Sequence, residues 1–299
     1  MLNIIHYMLT AMRPAFKDAA YAEEAVLLLE ENMKRFLGVV VSIALSAPLA
    51  IASTAAWADT LDNIKAAGKI RIAMDLGIPP WAYKDENLKN TGPEVANVEL
   101  LAKDLGVELE IVPTTGANRI PFLLSNKADL VLSTLSITPE REKIVLFSIP
   151  YSGATEVVAA PQSMEIKGFE DLVGKSIAVT RGTMLDTQVT KGALPGTDIV
   201  RFEDESTTIT SVVTNQVNII AQTTALIPVI NEKNPAADLE PKFLLHETLY
   251  GVAMRKGDDA LKAWVDDWIR KNVANGKLNE NYKKFLKTDM PASIAETAK

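Results

Sequence analysis

The chain has 299 residues, 47% hydrophobic and 23% charged, an ordinary globular composition with room for two modest lobes or one large domain. It has no cysteine and only two histidines, His6 and His246, which excludes disulfides, a thiolate metal site and a histidine-based metal cluster or triad. The net charge of -7 argues against a nucleic-acid-binding surface but not against an anionic ligand, because one buried arginine decides that locally.

From the N-terminus, residues 33–58 have the order of a secretory signal peptide. Met33-Lys34-Arg35 is a short basic start, Phe36 to Leu49 is apolar and interrupted by Pro48, and Ala56-Trp57-Ala58 is a small-x-small cleavage pattern. Cleavage after Ala58 leaves Asp59 first in the mature chain and sends it to the periplasm. A transmembrane anchor is the competing reading, which Pro48 and the cleavage pattern oppose. Residues 1–32 precede this export signal and are expected to be an upstream extension, with native translation starting at Met33.

Beyond Asp59, β-rich runs alternate with helical patterns, which predicts an α/β protein on largely parallel sheets. Lys69 to Met74 is a first strand. Glu94 to Leu105 carries Val95, Val98, Leu101, Ala102 and Leu105 on one helical stripe and stops at Gly106. Strands follow at 107–112 and 129–133, around a short helix at 119–126. After Pro161 a second set has strands at 176–179, 199–202 and 217–221 and a helix at 207–214. Residues 258–275 form a last helix with Leu261, Val265, Trp268 and Ile269 on one face.

Two extended stretches, 156–160 and 250–254, are expected to pair as a hinge. The expected division is lobe one over 59–157 and 248–290, lobe two over 158–247, and a polar tail over 291–299. Loops after the strands then gather at the carboxyl edge of each sheet, where ligands bind in open α/β folds.

Three stretches carry a resemblance to a known family. They are Gly92-Pro93-Glu94-Val95; Asn118-Arg119-Ile120-Pro121 followed by Lys127-Ala128-Asp129; and Ser133 through Thr138-Pro139-Glu140-Arg141, followed by Phe147-Ser148-Ile149-Pro150-Tyr151. With Tyr250 to Gly257, they resemble the family 3 solute-binding proteins, the polar-amino-acid receptors of ABC importers. The resemblance implies a two-lobed periplasmic-binding-protein fold of type II, with two hinge strands joining the lobes. It implies a small carboxylate-bearing ligand and a membrane ABC permease as partner; a monomer is the simplest reading, and neither cofactor nor metal is expected.

Arg141 is the candidate carboxylate fork, since a guanidinium binds a carboxylate bidentately at any pH; a surface arginine in a helix opened by Thr138-Pro139 is the plainer reading. Ser133, Thr134 and Ser136 end a strand, where hydroxyls serve either a turn or a ligand. The resemblance implies that Thr134 and Ser136 contact the amino-acid backbone, and that Gly182 and Thr183 clasp its carboxylate at a helix start. Those two residues otherwise make an ordinary turn.

The sequence departs from the family at the aspartate that binds the ligand's α-ammonium, which falls on Thr223; an upstream acid falls on Asn218. Threonine hydrogen-bonds an ammonium without neutralising it. Either Asp75 takes that work from the first loop, as more than a solvated strand end, or the ligand lacks an α-ammonium. The usual aromatic platform falls on Ile78, opposite Gly116, leaving Trp81 as the substitute or as a core residue. Arg119 matches an arginine that meets acidic side chains in some relatives and is structural in others. A cleft enzyme of the cyclohexadienyl-dehydratase kind and a receptor that docks onto a membrane sensor are the alternatives.

Overall fold

Helices alternate with short apolar strands in this chain, and twice three such strands run side by side in the same direction. The computed structural model describes residues 59–297; the expected signal peptide and the segment before it lie outside the described residues. Helix α1 (Thr60–Ala67) is capped by the Asp59 carboxylate and ends at Gly68 in the left-handed region. It leads into β1 (Lys69–Met74), the hairpin β2 (Tyr83–Lys84) and β3 (Asn90–Thr91), and α2 (Pro93–Leu105). Pro93 occupies the first turn of α2, where its missing N–H costs nothing, and Gly106 closes the helix at φ 78°. Then come β4 (Glu108–Pro113), α3 (Arg119–Leu124), β5 (Leu130–Val131), α4 (Pro139–Glu142) and β6 (Leu146–Phe147).

The chain next leaves along β7 (Ser152–Pro161) and builds β8 (Ser176–Thr180), α5 (Met184–Gly192), β9 (Asp198–Phe202), α6 (Glu205–Val213), β10 (Ile219–Thr223) and α7 (Ile227–Lys233). It returns on β11 (Leu239–Tyr250) to β12 (Ala253–Met254), α8 (Asp259–Ala274), α9 (Lys277–Leu286) and α10 (Ala292–Thr297).

The first sheet has the order β4-β1-β5-β12-β6 and the second β11-β7-β10-β8-β9. In each, three neighbouring strands are parallel and the other two join antiparallel. The core of lobe one packs the apolar stripes of α2 and α8 on the first sheet, with Val98, Leu101, Leu261 and Val265 all buried. Separate apolar clusters cover the two faces of the second sheet. Asp129 ties the outer end of lobe one together by accepting from the Arg71 backbone N–H at 2.9 Å and its Nη2 at 2.6 Å.

The crossing between lobes differs from expectation. β7 pairs along its whole length with β11, from Ser152–Tyr250 to Pro161–Leu239, so the returning strand is 239–250, while 253–254 lies in the sheet of lobe one. Two register shifts, between Pro241 and Phe243 and between Leu244 and His246, break the alternation that would mark β11 as a strand. The tail expected over 291–299 contains α10, whose Ile294 is fully buried. No helix among the described residues is long and apolar enough to cross a membrane.

Candidate functional site

The two lobes touch across a cleft whose floor is the β7–β11 pair. Trp81 Nε1 from lobe one donates to Thr223 Oγ1 of lobe two at 3.4 Å, and Arg141 Nη2 donates to the Gly182 carbonyl at 3.3 Å. Gly182 sits at φ 73°, and a Cβ there would lie 3.2 Å from Ala117, so backbone meets backbone where the lobes close.

Both expected arginines lie at this junction. Arg119 is 4% exposed and is held by three carbonyls: Nε donates to Gly116 at 3.1 Å, and Nη1 to Ser133 at 2.6 Å and Thr134 at 3.3 Å. Its guanidinium therefore stiffens the loops on either side of it. Arg141 donates from Nη1 to the Ser136 carbonyl at 2.9 Å, while its backbone N–H is capped by Thr138 Oγ1 at 3.2 Å. Burial, then the neighbouring Arg119 charge, lowers the Arg141 pKa to about 10, still cationic at neutral pH.

Thr134, between these arginines, adopts φ 44°, a costly conformation for a β-branched residue. Glu94 holds it there. One Glu94 oxygen accepts from the Thr134 N–H at 2.9 Å and from the Tyr151 hydroxyl at 2.6 Å. Burial lifts the Glu94 carboxyl to about 7 against these bonds. A buried acid thus pins the strained end of this strand.

Three further acids reach the cleft. Asp75 follows β1, and its Oδ1 accepts from the Gly77 N–H at 2.9 Å; its Oδ2 has no hydrogen bond among the described residues. Glu156, on β7, is 3% exposed, and its Oε2 likewise has none. Glu205 opens α6 and accepts from Gln222 Nε2 at 3.1 Å. Burial raises the Asp75 carboxyl and lifts Glu156 and Glu205 to about 7 each; the Arg141 charge opposes the shift at Glu156, and Asp75 adds to it at Glu205. Neither glutamate was anticipated. A lone glutamate in the otherwise uncharged run from Ser152 to Pro161 was the available signal for the first.

Of the expected residues, Asp75, Trp81, Arg119, Thr134 and Ser136 line the cleft from lobe one and Thr183 and Thr223 from lobe two, with Ile78 and Gly116 beside them. Ser133 is turned away, its hydroxyl accepting from the Asp75 N–H at 2.9 Å. Trp81 is both core and wall: it is 1% exposed and packs edge-on against Tyr250 and Tyr282. The Thr183 hydroxyl donates to the Thr180 carbonyl at 2.7 Å and caps α5 at Asp186 N. The Gly182 N–H is engaged by Asp186 at 3.1 Å. Both donors expected at a ligand carboxylate are thus spent within lobe two in this conformation.

Comparison with known proteins accords with this geometry. The chain is 28% identical to the L-cystine-binding protein TcyJ of Escherichia coli (strain K12) over 84% of its own length and 94% of that protein's. It is 24% identical to the cyclohexadienyl dehydratase of Pseudomonas aeruginosa, over 87% and 98%. The solved structure of holo ArgBP from T. maritima superposes with a TM-score of 0.65 at 34% identity, over 70% of this chain and 92% of that one. The fold is that of the type II periplasmic binding proteins. Residues 70–288 match the family described as bacterial extracellular solute-binding proteins, family 3, and the chain belongs to that family.

Proposed function

We propose that this protein is the extracytoplasmic substrate-binding component of an ABC importer, which captures an amino acid by hinge closure of its lobes. The observation that carries the reading is a cleft between two lobes on the β7–β11 pair, lined by the buried Arg119 and three buried acids, with the half-buried Arg141 at the lobe junction. An amino acid carries both charges such a wall complements. Its carboxylate docks on the Arg141 fork beside Ser136 and Thr134, with Gly182 and Thr183 approaching from lobe two. Trp81 and Ile78 supply apolar wall, and Arg119 fixes the loops that present them. Closure then offers the permease a surface drawn from both lobes. Relatives named for binding cystine, and an arginine-bound form of ArgBP from T. maritima, support an amino acid as the ligand class. Export through a signal peptide at 33–58, cleaved after Ala58, places the monomeric protein in the periplasm.

Isothermal titration of the purified protein against amino acids, keto acids and dicarboxylates tests the reading. Binding confined to α-amino acids is the expected result, and silence across the panel would count against capture altogether. The second reading, a dehydratase, is favoured by one feature: Glu156 and Glu205 are acids buried near a neutral pKa, as a general acid requires. Turnover of prephenate or arogenate would establish it.

A further inference from the structure

We propose that Glu94 is a positioning residue, which raises ligand affinity by holding Thr134 in its strained conformation without itself touching the ligand; this rests on the receptor reading above. Glu94 is 1% exposed and does not line the cleft, whereas Thr134 does. It sits in the first turn of α2 beside Pro93, and its backbone N–H donates to the Trp81 carbonyl at 3.1 Å. Its carboxylate reaches Thr134 from there, and the same oxygen takes the hydroxyl of Tyr151, the residue before the hinge strand β7. One residue thus joins a wall of the cleft, a loop that lines it and the root of the hinge.

Two costs meet at this contact, and neither helps the fold. A β-branched residue at φ 44° is strained. A buried carboxylate is expensive unless its lone pairs are engaged, and Glu94 Oε1 has no hydrogen bond among the described residues. Glycine at 134 would take the same conformation without strain and release the acid. Strain kept in place by a costly partner points to a site that needs the geometry.

That geometry is the course of the chain from Thr134 to Ser136. The Thr134 carbonyl accepts from Arg119 Nη1 at 3.3 Å, and the Ser136 carbonyl accepts from Arg141 Nη1 at 2.9 Å. Both guanidinium groups therefore lean on the segment that Glu94 fixes. Without the carboxylate, Thr134 relaxes toward negative φ and draws both arginines from their places.

The test is a double-mutant cycle read by isothermal titration at pH 8, where Glu94 is ionised, with the standard L-amino acids and L-cystine as probes. Glu94→Ala should weaken binding about 10-fold or more, the scale of one hydrogen bond to a charged group, and Glu94→Gln should recover part. In a Thr134→Gly background, where the strain is gone, the same substitutions should cost about threefold or less. Equal losses in both backgrounds would overturn the proposal and leave the receptor reading standing. Silence of the parent protein toward every probe would overturn the receptor reading and the proposal with it. Glu94→Gln carries the same cycle if Glu94→Ala does not fold. Amide exchange without ligand separates positioning from support of the fold: Glu94→Gln should speed exchange at Thr134 and leave β1 protected. A uniform rise across both would overturn the proposal.

Discussion

Replacing Glu156 with glutamine should weaken ligand capture yet stabilise the empty protein, and the size of the gain depends on pH. Burial raises this carboxyl from 4.5 to about 7 on folding, so the folded protein holds the proton more tightly than the unfolded chain. Folding takes up a proton between those values, and stability falls as the pH rises through that window. Once both states are ionised, the loss is at most about 3 kcal/mol, at about 1.4 kcal/mol for each pH unit. A glutamine escapes that cost but must bury an amide at the same place, which returns about 1–2 kcal/mol. The net gain is then about 1–2 kcal/mol at pH 8, or roughly 2–8 °C in Tm for a protein of this size. At pH 5 the folded carboxyl is already protonated and little gain remains. Thermal unfolding of the parent and Glu156→Gln proteins without ligand, at both pH values, measures the difference. An equal change at pH 5 and pH 8, or a loss at pH 8, would refute the reasoning.

Other substitutions probe the remaining parts of the cleft. Arg141→Ala removes the fork between Ser136 and Gly182 and should cost roughly 30-fold or more in ligand affinity by titration; Arg141→Lys should recover only part, since a point charge lacks the fork. Gly182→Ala places a side chain at φ 73° and 3.2 Å from Ala117. Small-angle scattering of that variant at ligand saturation should find it more open than the parent. Trp81→Ala removes a side chain packed against two tyrosines and should destabilise by about 3–5 kcal/mol in denaturant unfolding. Ile294→Ala should lower Tm measurably, as a buried large-to-small change of about 2 kcal/mol does, and no change would mean α10 adds nothing to lobe one.

Local grammar made much of this fold legible. β1 runs from Lys69 to Met74 as its alternation predicts, and α2 stops at Gly106 because only a left-handed residue ends it there. Thr138 and Pro139 open α4 as their residue types require. Arg141, Thr134 and Ser136 could be placed because a contiguous block carries them. The acids were harder to find because their burial comes from partners far along the chain. Glu156 is hidden by the neighbouring strands β10 and β11, and Glu205 by lobe one across the cleft. Neither environment exists in a local window. The strand expected at 129–133 shortens to 130–131 because Ser133 and Thr134 already turn toward Asp75 and Glu94. β11 escaped notice because its bulges and its charged residues, Lys242 and Glu247 among them, interrupt any regular period.

The two-residue strand β12 sets the order in which the molecule can assemble. It lies between β5 and β6 and pairs with both, yet it follows the whole of lobe two in the chain. The second sheet is complete once Tyr250 has been made, from one contiguous segment. The first sheet keeps a gap between β5 and β6 until Ala253 and Met254 arrive, and α8 and α9 follow only afterwards in the chain. Long-range closure of this kind is slow relative to local pairing. The sheet begun first in the chain, at Lys69, is thus closed after the sheet begun at Ser152.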